Sequence, residues 1–202
     1  MFMKKYTGFT LIELMVALAV LGILLSVGLP KMSVFFKGSR MVTNANEMLS
    51  GLHIARSEAV KRNSRVTICK SVNADSTSPT CATGAEGWDK GWIVFVEGKN
   101  EDNVYGQYTA ADGALLRVNA GAEGNNVTIT ASVAGIDKYV SFTSRGAPKL
   151  RNGSSQSGVF RVCDARGLKN AAGGVVARGV VLSASGRVRN TKDAVRIGAC
   201  PS

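Results

Sequence analysis

The sequence has one histidine, His53, in 202 residues. Any Ser-His-Asp or Cys-His arrangement would have to use it, and it falls inside a helical pattern, where a helix-surface or interface role is expected. Neither a P-loop nor a GxGxxG stretch occurs, so no glycine-rich phosphate cradle is expected. The absence of any CxxC weakens a zinc reading. Aromatic residues amount to 6%, and Tyr139, Phe142 and Phe160 all sit in strand patterns, so no platform for stacking bases is expected. No repeat recurs at a solenoid period. These shortages argue against an enzyme, and no catalytic residue, cofactor or metal is expected.

Acid is also scarce. There are 14 Asp and Glu against 25 Lys and Arg, a net charge of +11. The imbalance is uneven along the chain. Residues 1–74 carry ten basic and three acidic groups, residues 75–137 three and nine, and residues 138–202 twelve and two. A change from −6 to +10 between adjoining segments suggests one face built for a polyanion.

Four cysteines are present: Cys69, Cys81, Cys163 and Cys200. An even number points to an oxidising compartment such as a periplasm or cell surface. Of the three possible pairings, Cys69–Cys81 with Cys163–Cys200 is favoured, because each closes a local loop worth around 3–4 kcal/mol.

One long apolar run stands out. Between Leu14 and Leu29 there is no charge, and from Phe9 onward Glu13 is the only one. At about 1.5 Å per residue a helix over Phe9–Leu29 would be roughly 30 Å long, enough to cross a bilayer core. A secretory signal has a shorter core, and a plain anchor does not explain Glu13. An ionised carboxylate in hydrocarbon costs about 3 kcal/mol and is usually kept for a partner. A free α-amino group on Phe9 of a neighbouring copy would serve, given a cut between Gly8 and Phe9.

The string KKYTGFTLIELMVALAVLGILLSVGLP resembles the prepilin leader and first helix of type IV pilins and type II secretion pseudopilins. The resemblance implies cleavage after Gly8 by a prepilin peptidase and N-methylation of Phe9. It places Glu13 where that family keeps its glutamate, for assembly, and Pro30 where many members have a proline. Two further stretches, HIARSEAVKRNSRVTIC from His53 and the GW-x-VF pattern at Gly91, Trp92, Val94 and Phe95, resemble the FimT/GspH group of minor pilins and pseudopilins.

The implied layout is a leader over 1–8, a membrane-spanning and pilus-core helix over 9–36, and one globular domain over 37–202. The implied fold is α+β: a long N-terminal helix, continuing over 37–63, packed on antiparallel β-sheet over 64–202. Val42, Ala45, Leu49, Leu52, Ala55 and Ala59 form an apolar stripe at helical spacing. Asn63 is a plausible stop. Strands are expected at 65–71, 91–97, 114–118, 126–131, 138–143, 157–163, 174–182 and 187–190, separated by Gly and Asn clusters. Residues 71–87 read as a loop clipped by Cys69–Cys81, and 99–113 as a polar loop or short edge.

The site candidate is Val180–Asn190, VVLSASGRVRN. Gly186 closes a turn, and Arg187 and Arg189, two apart on the strand that leaves it, point to one side about 6–7 Å apart. Guanidinium groups grip phosphate in bidentate fashion. Lys192, Arg196, Arg178 and Lys169 are the surrounding basic groups. The GRxR at Gly186–Arg189 resembles the motif of DNA-binding FimT minor pilins of natural transformation, which implies phosphate contacts by Arg187 and Arg189. Against this, alternating arginines on an exposed strand are common.

The implied partners are double-stranded DNA, other major and minor pilins, the prepilin peptidase and the inner membrane. The implied location is the bacterial inner membrane, single-pass with a periplasmic domain, and then the type IV pilus at the cell surface. The alternative is a structural minor pilin or type II secretion pseudopilin that primes assembly without binding DNA. Adhesion to an acidic surface polymer would share the basic patch.

Overall fold

A computed structural model of the chain describes residues 8–98, 108, 113–121 and 126–200, and within its first helix all side chains except those of 27–31 and 33. The expected leader lies outside these residues apart from Gly8. The polar stretch 99–113 lies outside apart from Tyr108 and Gly113. The chain divides into two compact units, Met1–Ser39 and Arg40–Ser202.

Helix α1 spans Leu11–Arg62. Its start is a reciprocal cap: Glu13 N donates to Thr10 Oγ1 at 3.3 Å, and Thr10 N donates to a Glu13 carboxylate oxygen at 3.5 Å. This satisfies two of the N–H groups that a helix start leaves unpaired. In the first unit Phe9, Leu11, Ile12, Ile23 and Leu24 are exposed. Counted on the described residues alone, no helix is long and apolar enough to cross a membrane. The apolar run of 9–29 continues past them, so the span remains an expectation from the sequence.

In the second unit the buried residues of α1 are Met41, Ala45, Met48, Leu52, Ala55 and Ala59. Steps of four and three keep them on one stripe. Val42 and Leu49, expected on it, sit about 100° round the helix from Met41 and Met48. Val42 is exposed and Leu49 only half-buried. His53 is exposed, as expected of a helix-surface residue. The helix stops at Asn63, whose φ is 47°. Ser64 N donates to Ala59 O at 3.2 Å and Asn63 N to Val60 O at 3.3 Å, the Schellman pattern with asparagine in the left-handed position.

Eight strands follow: β1 Val66–Lys70, β2 Trp92–Val96, β3 Leu115–Asn119, β4 Val127–Ala131, β5 Tyr139–Phe142, β6 Gly158–Asp164, β7 Arg178–Leu182 and β8 Val188–Thr191. They form two antiparallel sheets, ordered β3-β2-β1-β5 and β4-β6-β7-β8. The strand expected over 174–182 begins only at Arg178. Asn170 and Gly174 close a tight turn before it: Asn170 N donates to Gly174 O at 2.9 Å, and Gly174 N donates to the Asn170 side chain at 2.8 Å. A short helix, α2 Ala194–Ile197, was not expected.

The apolar run of β2 is buried on both faces. Trp92 and Val94 belong to the main core with the α1 stripe. Ile93 and Phe95 pack on the other face with Cys69 and Ala74. Gly51 lets α1 lie close against that sheet, since a Cβ there would lie 2.6 Å from the Trp92 ring. The second sheet contributes Phe160, whose ring meets Trp88 edge-on at 5.2 Å. Gln156, two residues ahead of β6, is fastened to β5 and the turn before it. It accepts from Ser141 N at 2.9 Å and donates to Gly135 O and Tyr139 O at 2.7 and 2.9 Å. Both disulfides form as expected, Cys69–Cys81 and Cys163–Cys200.

Candidate nucleic-acid interface

The β7–β8 hairpin carries the candidate site. Its register pairs Leu182 with Val188, Val181 with Arg189 and Val180 with Asn190. β8 is the edge of its sheet. The turn between the strands is held from both ends. Gly186 N donates to Ser183 O at 2.8 Å, and Ser183 N donates to Arg187 O at 3.0 Å. The Ser183 hydroxyl adds a contact to Arg187 N at 3.0 Å. Gly186 has φ +81°, and a Cβ on it would sit 2.1 Å from Gly146 O. Both facts require glycine: the left-handed conformation and the close backbone approach.

Past this turn the side chains alternate as a strand dictates. Val188 is buried and Asn190 reaches Asn46 of α1 at 2.8 Å, so these two face the helix. Arg187 and Arg189 point to the opposite face and both are exposed. Gly186, Arg187 and Arg189 therefore come together as expected, with two guanidinium groups on one outer face beside a fixed turn.

The other candidate residues lie elsewhere. Arg178 pairs with Val162 in register, at the end of β7 away from the turn. Its guanidinium donates to Val176 O at 2.9 Å and Ala177 O at 3.1 Å. Burial lowers its pKa from the usual arginine value, and the charge of Arg166 lowers it further. Arg178 and Lys192 line a cavity of about 400 Å³ with Val42, Ala45, Asn46, Asn190 and Thr191. That cavity opens on the helix side of β8. Arg196 sits on α2 and is ion-paired with Asp193 at 3.3 Å, so part of its charge is already neutralised. Lys169 is exposed but lies between β6 and β7, remote from the tip. The six basic positions thus divide between two faces and two ends of the sheet.

Two residues near the tip were not singled out as DNA contacts from the sequence. Arg56 of α1 donates to Ser185 O at 3.4 Å, and Arg145 is exposed beside Gly146. The available signal was a repeated pattern, a hydroxyl residue three before a glycine, at Thr143–Gly146 and Ser183–Gly186. Among the described residues no group of His, Cys, Asp and Glu is arranged to hold a metal.

Two family models match the chain: the type II transport protein GspH over residues 44–186 and the prokaryotic N-terminal methylation motif over residues 3–29. No curated protein matches it. Among solved structures it is similar to the Pseudomonas aeruginosa type IV minor pilin FimU, at 18% identity and a TM-score of 0.52, covering 83% of this chain and 98% of that one. A second crystal form of FimU aligns at 20% identity and a TM-score of 0.49, over 79% and 97% of the two chains. The fold is accordingly that of the type IV pilins, a helix packed on antiparallel sheets. The matched region takes in α1 from Asn44, the first sheet, β4, β6 and β7 of the second and the glycine of the turn, and stops ahead of Arg187, Arg189 and β8. With the methylation motif ahead of it the chain belongs to the GspH family of pilin-like proteins.

Proposed function

We propose that the protein is a minor type IV pilin that binds extracellular double-stranded DNA at the Gly186 turn, for uptake in natural transformation. One observation carries the reading: Arg189 on the edge strand β8 and Arg187 just ahead of it are both exposed, with buried Val188 between them and a glycine turn before them. The net charge of +11 supplies the field that draws a polyanion in. Contacts of this kind are to phosphate, so binding is tolerant of sequence and falls steeply with salt. Arg178, Lys192 and Arg196 add to the field rather than to the contact. Two of them line the helix-side cavity and the third is paired.

In this reading the precursor is cut between Gly8 and Phe9, Phe9 is N-methylated, and the helix over 9–36 anchors the chain in the inner membrane before assembly. Glu13 then meets the Phe9 amine of a neighbouring pilin in the pilus. The description of the matched family, a type II transport protein, favours a second reading in which the chain primes assembly through protein contacts alone.

The test is a titration of fluorescent duplex DNA against the full chain in non-ionic detergent and against its Arg187→Gln/Arg189→Gln variant. Loss of two phosphate contacts reduces the slope of log K against log salt by roughly 1.8. Equal binding by both proteins would move the site off the turn. No binding by either would leave the assembly reading.

A further inference from the structure

The Gly186 turn has a twin. After β5, Thr143-Ser144-Arg145-Gly146 is built in the same way as Ser183-Ala184-Ser185-Gly186. Gly146 N donates to Thr143 O at 2.7 Å, as Gly186 N does to Ser183 O at 2.8 Å. Thr143 N and its hydroxyl both donate to Ala147 O, at 3.0 and 3.1 Å. Ser183 N and its hydroxyl both donate to Arg187 O, at the same two distances of 3.0 and 3.1 Å. Gly146 has φ +74° and Gly186 φ +81°.

The two turns belong to different sheets, yet they touch. Gly186 has no room for a Cβ because Gly146 O would be 2.1 Å away. Both rest on the same helix side chain: Arg56 Nε lies 3.1 Å from a Cβ at Gly146 and 3.2 Å from one at Gly186. Arg145 precedes the first glycine and Arg187 follows the second. Stepping along the chain from that contact puts their Cα atoms at most roughly 14 Å apart. Both side chains are exposed. Among the described residues neither is engaged in an ion pair.

We propose that Arg145 is a further phosphate-contact residue, extending the Arg187–Arg189 pair across the seam between the two sheets into one strip for a DNA duplex. The proposal rests on the DNA-binding reading above and adds a residue that lies in the other sheet. Arg56 acts beneath the strip as a positioning residue, since its guanidinium is spent on Ser185 O and on the backs of both turns.

The experiment uses the full chain in non-ionic detergent and a short fluorescent duplex of mixed sequence, titrated at several salt concentrations. Arg145→Gln reduces the salt slope by about 0.9, one phosphate contact. Arg145→Lys, which keeps the charge, holds the slope near that of the unmodified chain. Lys169→Gln makes the same charge change at the far end of β7 and leaves the slope unaltered. If Arg145→Gln and Lys169→Gln give the same slope, or if Arg145→Lys loses as much as Arg145→Gln, the strip ends at Arg187 and this proposal fails while the DNA-binding reading stands. If the unmodified chain does not retain duplex even at low salt, the DNA-binding reading fails and takes the strip with it.

Discussion

Replacing Gly186 by alanine separates two costs that are usually mixed. The first is conformational: φ is +81°, and holding an L-residue there costs about 1–2 kcal/mol. The second is steric. The new Cβ would lie 2.1 Å from Gly146 O, which is backbone and cannot swing aside as a side chain does. To restore ordinary contact one turn must move by more than 1 Å, and overpacking of that kind adds about 1–3 kcal/mol. Gly153 supplies the comparison. Its φ is +83° but a Cβ on it meets nothing within 4 Å, so Gly153→Ala carries the first cost alone. For a domain of this size each kcal/mol is worth roughly 2–4 °C of Tm. Gly186→Ala therefore melts roughly 2–12 °C below Gly153→Ala. Near-UV circular dichroism follows the loss of packing around Trp88 and Trp92, both buried in the main core. Equal Tm values for the two variants would show that the turns do not press on each other, and would remove the geometric basis for placing Arg145 beside Arg187.

Two further outcomes follow from other parts of the molecule. The disulfide Cys163–Cys200 spans 37 residues and Cys69–Cys81 spans 12. On chain entropy their removal by paired serine substitution costs about 4 and about 3 kcal/mol, so the first variant has the lower urea midpoint. The Glu58 carboxyl is held below the usual glutamate range, chiefly because it accepts a hydrogen bond from Arg62 at the end of α1. A depressed carboxylate pKa gives a stabilisation that is complete above the unfolded value and lost as pH falls through the folded one. Carbon-detected NMR of Glu58 shows the lowered pKa, and Arg62→Gln brings it back towards the ordinary glutamate value.

The eight strands were legible because β-branched residues cluster between Gly and Asn breaks, and Asn63 was legible as a stop because asparagine tolerates positive φ. α2 was not. Four residues, Ala194–Ile197, are too few for a periodic signal, and its start depends on Asp193 capping Val195 N at 3.0 Å. The tight turn at Asn170–Gly174 took four residues from the expected strand that became β7. Within α1, the choice of Met41 and Met48 over Val42 and Leu49 rests on which flank the sheets occupy. In the site, the parity of Arg187 and Arg189 was local and could be read. The parity of Arg178 against them was not, because it passes through the register of a hairpin. Arg145 was harder to place for a different reason: the repeated pattern at Thr143–Gly146 and Ser183–Gly186 marks two like turns, but its neighbour is in the other sheet, and nothing local in a sequence records how two sheets abut.

The Cys163–Cys200 bond has a mechanical consequence. β7, the turn, β8 and α2 all lie inside the loop it closes, and Cys163 is on β6, an interior strand with a partner on each side. A pull on Arg187 or Arg189 runs along the chain in two directions. One route reaches β6 through β7, and the other through α2 and the sulfur–sulfur link. Both end on the same strand. An edge strand without that link would peel away from its free end one hydrogen-bonded pair at a time. Here there is no free end to peel from, and the strain is shared across the middle of the sheet.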